Sequence, residues 1–159
     1  MGPRQQVAAA AAIVAMAVGV SGVSAARRLS PAGYRSKVES VCRINGVIKT
    51  AIQKRIDAAY AAKDWSGYFT ALGNAVGLVL VQDRQLETTP FPSSLRPQMA
   101  PAVVELRGLD EHLHHAVEVA RTGDTKAMLV EIGNASPFGD RAAKHLEAAG
   151  LRHCAAIYS

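Results

Sequence analysis

Apolar residues recur along this chain at the spacing of an α-helix, and that recurrence restricts its fold more than any other feature. The clearest stretch runs from about Pro97 to Arg121, where Met99, Ala102, Leu106, Leu109, Leu113, Val117 and Ala120 step by three or four. At 100° per residue such steps gather on one face, which needs another element to cover it. Three further segments show the same period, and none alternates convincingly as a half-buried strand would. The expectation is an all-α fold: a four-helix, mainly antiparallel bundle with helices over about 31–62, 65–87, 97–121 and 125–149.

In the first helix Ser30 is placed as N-cap and Pro31 at the first helical position. Its stripe is Tyr34, Val38, Val41, Ile48, Ile52, Ile56 and Ala59, with Asn45 inside it beside Gly46. A buried amide needs an internal partner, so Asn45 either fixes register or marks a kink with close helix approach at the glycine. Asp64 caps the second helix, whose face carries Trp65, Tyr68, Phe69, Leu72, Val76, Val79 and Leu86. From Val76 to Val81 the sequence is apolar on every side. Leu78 and Val81 project away from the stripe, so this stretch is either buried all round or meets a partner. A short strand is the alternative, and the periodic flanks decide for helix.

Pro90, Pro92 and Pro97 make the following segment a loop. Asp124 caps the fourth helix, with Met128, Leu129, Ile132 and Ala135 on one face. A break is expected near Pro137, giving a kinked helix or two short ones, before Phe138, Ala142, Leu146 and Ala149 resume the pattern. Gly150 suits the position just past a helix end. The segment from Asp64 to Ala75 echoes that from Asp124 to Ala135, which reads as shared cap and core rules rather than duplication.

The N-terminus fixes the expected compartment. Arg4 and the free amine precede an uncharged run, Val7 to Val20, made mostly of Ala and Val. Gly22-Val23-Ser24-Ala25 then supplies the small residues a signal peptidase requires, so residues 1–25 read as a cleavable signal peptide and 26–159 as a single domain. The rival reading is an uncleaved membrane anchor over residues 7–26. It is disfavoured by the Ala- and Gly-rich composition and by Arg27 and Arg28 on the far side. The full chain is formally +5 and loss of Arg4 leaves +4, a mild charge with no clustered basic patch for nucleic acid. Secreted or extracytoplasmic localisation follows.

Cys42 and Cys154 are an even count in a chain read as exported, which suggests a disulfide. It would tie the first helix to the C-terminal tail. Closing a loop of more than a hundred residues is worth roughly 4 to 5 kcal/mol in the chain-entropy model. Two buried thiols that never meet are the alternative.

Residues with chemical potential do not converge. Glu111-His112-Leu113-His114-His115 contains Glu111-x-x-His114, the spacing of di-iron carboxylate bundles, without the second copy those sites need. With Leu113 at the centre of the buried face, His112 and His114 lie about 100° to either side. His115 and Glu111 fall on the outer face one turn apart, as a weak ion pair. His112 and His115 could grip a transition metal at the surface, but solvated side chains are the expected reading. There is no Gly-x-Ser-x-Gly elbow, phosphate loop or Cys-x-x-Cys-His. Haem would need Met128 or His145 as ligand, and no spacing selects either. His153 could pair with Cys154 as thiol and imidazole only without a bridge. Arg35, Lys37, Arg43, Lys49, Lys54 and Arg55 spread round the first helix with Glu39 and Asp57, and read as a solvated face.

Cys42, Gly150-Leu151, Cys154 and the proline loop Pro90-Phe91-Pro92 carry one resemblance. The mature chain is similar to a loose group of uncharacterised exported bacterial helical-bundle proteins with one disulfide. The resemblance implies a fold and a Cys42–Cys154 bridge, and brings no activity and no ligand. The expected function is an exported, non-catalytic binding or interaction module of unknown ligand. It has no assigned cofactor or catalytic residue, and a protein partner or self-association is expected through Leu78 and Val81. The alternative is a metal- or haem-binding helical bundle of the cell envelope.

Overall fold

Side-chain caps start three of the four long helices in a computed structural model, which describes residues 29–158. Ser30 Oγ accepts the Gly33 N–H at 3.1 Å and opens α1 (Pro31–Ala61). Asp64 opens α2 (Trp65–Thr88) and Asp124 opens α4 (Thr125–Ala148), each accepting an N–H three residues on. Helix α3 (Arg96–Arg121) is entered instead from a 3-10 turn over Ser93–Leu95, just after the proline loop. A single turn, α5 (Arg152–Ala155), follows α4. The described residues are all-helical, with no strand among them. The leader read over residues 1–25, and its alternative as an anchor over 7–26, lie outside the described residues. No described helix is long and apolar enough to cross a membrane.

Two hairpins make up the domain. The α1–α2 and α3–α4 turns are built alike, which explains the sequence echo. In each, a residue of positive φ (Lys63 at 56°, Gly123 at 84°) donates its N–H to a carbonyl three residues back, at 3.0 Å. The Asp cap of the next helix follows at once. Identical cap chemistry thus yields identical turns. The α3–α4 pairing is the most extensive helix contact. Gly108 makes it close: a Cβ there would overlap the Phe138 ring, which also lies under the Arg141 guanidinium at 4.7 Å. Helix α2 packs on α3, and α5 joins α1 to α4. The shared core includes Tyr34, Val38, Val76, Leu86, Met99, Leu106, Leu113, Ala142 and Leu146.

Three expectations need correction. Helix α4 is one continuous helix through Pro137, which sets aside the reading as two short helices. Pro137 stands on the exposed face, where water can take the carbonyl its missing N–H releases, while buried Ala135, Gly139, Ala142 and Leu146 hold both halves inward. Asn45 is buried, but no helix approaches closely at Gly46, where a Cβ would meet nothing within 4 Å. The inner stripe of α1 is Tyr34, Val38, Cys42, Asn45 and Ile52, not the one through Val41 and Ile48. Ile48 is 43% exposed. The helix turns Cys42 inward because its partner lies in the C-terminal tail.

Candidate functional site

One face of α1 laces down the C-terminal tail. Gly150, at φ 80°, ends α4 in a Schellman turn: its N–H bonds Glu147 O and the Leu151 N–H bonds Leu146 O, both at 2.8 Å. The tail then runs along α1. Arg35 Nε donates to Ala149 O at 2.7 Å, and Glu39 takes the His153 backbone N–H and meets its ring. Cys42 bonds Cys154 with the Cα atoms 4.8 Å apart, and Lys49 Nζ donates to Ala156 O at 2.9 Å. Positions 35, 39, 42 and 49 share a face, so the residues expected to be solvated at 35, 39 and 49 instead form a strap. The bridge also rules out a thiol–imidazole pair at His153.

Beside the bridge a polar layer crosses the interior. Asn45 Nδ2 donates to Gln82 Oε1, and Gln82 Nε2 lies 2.8 Å from Cys42 Sγ. This is the internal partner that Asn45 requires. The next residue, Asp83, has no exposed surface. The Tyr158 hydroxyl donates to Asp83 Oδ1, and the Asp83 and Asp110 carboxyls hydrogen-bond each other. Asp83 Oδ2 and Asp110 Oδ1 have no N–H or O–H partner, and a proton held between the carboxyls satisfies both. Burial, then the Asp110 hydrogen bond, pushes the Asp83 carboxyl up to about 9, so it stays protonated at neutral pH. Burial also raises Asp110.

Below the strap lies a cavity of about 230 Å³ that is partly open to solvent. Its walls come from all four long helices, with Ile52, Leu72, Val76, Leu78, Leu109 and Leu113 prominent, and from Ile157 of the tail. Lys49, Gln53, Ser136 and Tyr158 supply its polar side chains. Leu78 and Val81, expected to act together, part company here: Leu78 lines the cavity, whereas Val81 is 54% exposed.

The histidine cluster is disposed differently from the expectation. His115 does not answer Glu111; its Nδ1 lies 3.2 Å from Glu131 Oε1, and His112 Nδ1 lies 2.9 Å from Oε2 of the same carboxylate. Glu131, reaching across from α4, is held below the ordinary carboxylate range, chiefly by the His112 hydrogen bond. Among the described residues no group of three or more His, Cys, Asp or Glu is placed to hold a metal ion. Met128 and His145 stand at opposite ends of α4, about 25 Å apart at 1.5 Å per residue. Searches of protein-family models, of curated proteins and of solved structures find no match to this chain.

Sequence reasoning missed Gln82, Asp83, Asp110 and Tyr158. One signal pointed to Asp83. The α2 stripe steps through 72, 76 and 79 and then skips to 86, and the vacant inward step is Asp83.

Proposed function

We propose that this protein is an exported, non-catalytic binding module, a four-helix antiparallel bundle that loses its leader and holds a small apolar molecule beneath the C-terminal strap. The observation that carries this reading is the cavity. It opens to solvent on one side, where Gln53 and Ser136 are exposed, so a ligand can enter it from outside. An apolar void of about 150 Å³ stays dry and takes up benzene. A space of about 230 Å³ walled by aliphatic side chains is therefore a binding volume for a somewhat larger apolar molecule. Export is supported by the bridge, since disulfides persist in oxidising compartments. The non-catalytic part of the reading is supported by the lining, whose titratable groups among the described residues are Lys49 and Tyr158. Tyr158 is already engaged with Asp83.

The test is calorimetric titration of the oxidised protein with 1-octanol. Saturable one-to-one binding with a negative heat-capacity change is expected. Ile132→Trp, which projects an indole into the cavity, is expected to abolish it. A wild-type protein that is folded by circular dichroism and binds no alcohol would overturn the reading.

A further inference from the structure

Helix α1 turns one face to the C-terminal tail and leaves the far one uncovered. Arg35, Glu39, Cys42 and Lys49 are engaged in the strap. On the far side Ile44 and Val47 are 63% and 69% exposed, and Ala51 and Ala58, also exposed, continue their line. We infer that this face docks on the surface of an anionic lipid bilayer, with α1 lying in the plane of the interface.

The distribution of charge around α1 carries the inference. Arg43 and Lys54 flank the apolar line on one side and Lys37 and Arg55 on the other, each about 50 to 70° from its centre at 100° per residue. All four are exposed, and among the described residues no ion pair engages them. From Lys37 to Arg55 the face runs about 27 Å along the helix. It holds no acid: Glu39 and Asp57 lie on the strap side, where Glu39 holds His153 and Asp57 accepts the Gln53 amide at 2.8 Å. Exposed carboxylates stand instead on α3 and α4, at Glu111, Glu118, Asp140 and Glu147.

An apolar line between two rows of cations suits the boundary between acyl chains and phosphates. The aliphatic side chains enter the apolar side, and the long stems of Lys and Arg carry their charges up to the head groups. Nucleic acid would pair the cations and leave Ile44 and Val47 in water. A second copy offering this same face would bring like charges together. A negatively charged, fluid lipid surface meets both requirements at once.

Sedimentation of the full, disulfide-bonded chain with two kinds of vesicle tests the inference: equal parts phosphatidylglycerol and phosphatidylcholine, and phosphatidylcholine alone. Binding to the anionic vesicles is expected to be at least ten-fold tighter and to weaken in high salt. Arg43→Glu with Lys54→Glu should lower it at least ten-fold, and Val47→Asp several-fold. Lys126→Glu with Lys144→Glu makes the same change of net charge on α4, and Val104→Asp places the same acid on α3; each should change binding by no more than about three-fold. No preference for anionic vesicles by the wild-type protein would overturn the inference. Equal losses from the two charge reversals would overturn it too, by assigning the attraction to net charge rather than to this face. Self-association seen by ultracentrifugation without vesicles and abolished by Val47→Asp would give the face to a second copy, and overturn docking on lipid. All the substituted positions are exposed, and the wild-type comparison stands whatever the variants do.

Discussion

Replacing Asp83 by Asn should stabilise the protein, by an amount that grows with pH. Asp83 has no exposed surface, accepts the Tyr158 hydroxyl and shares a proton with Asp110. Its carboxyl titrates at about 9 in the fold, against an ordinary value of 3.8. The folded chain therefore holds a proton that the unfolded chain releases across that interval. The stability contributed is complete below about pH 3.8, falls as pH rises and is fully lost above about 9. At about 1.4 kcal/mol per pH unit, about 4 kcal/mol is gone by pH 7. Asparagine has the same shape, accepts from Tyr158 and donates an N–H to Asp110 with no proton to hold. Urea unfolding followed by circular dichroism should show Asp83→Asn ahead by about 4 kcal/mol at pH 7 and by about 1 to 2 kcal/mol at pH 5. A difference independent of pH, or a variant less stable than wild type at pH 8.5, would refute a protonated Asp83.

Three other substitutions probe the strap, the turns and the cavity wall. Changing both Cys42 and Cys154 to Ser should cost up to roughly 4 to 5 kcal/mol. Hydrogen exchange should then show the Ile157 and Tyr158 amides losing protection while α3 and α4 keep theirs. Lys63→Gly should raise stability by about 1 kcal/mol in urea unfolding, because Lys63 sits at φ 56°, where glycine has no Cβ penalty. Leu78→Lys should abolish octanol binding and Val81→Lys should leave it unchanged in calorimetry, since the first lines the cavity and the second faces solvent.

The parts of this fold that could be read from the chain are those set by local chemistry. The stripe from Met99 to Leu113 needs only helical periodicity, and Ser30, Asp64 and Asp124 announce their helices by capping. Pro137 misled because proline lowers helix propensity locally, while packing of Ala135, Gly139 and Ala142 on α3 outweighs it. Lys49 and Glu39 looked solvated because their partners lie more than a hundred residues away in a tail with no pattern of its own. The cavity was out of reach for a related reason. It is space left between four stripes, and its wall residue Leu78 showed only as an apolar position off the main face. Asp83 left a gap in the α2 stripe, but Asp110 and Tyr158, which let it be buried, are distant in sequence.

Methyl-detected NMR of the oxidised protein during titration with 1-octanol is the most direct measurement. A ligand housed under the strap should shift the Leu78, Leu113, Ile132 and Ile157 methyls together and to saturation, leaving Ile44, Val47 and Val104 on the outer surface unmoved. Shifts confined to those outer residues, or none at all, would contradict a ligand-holding interior.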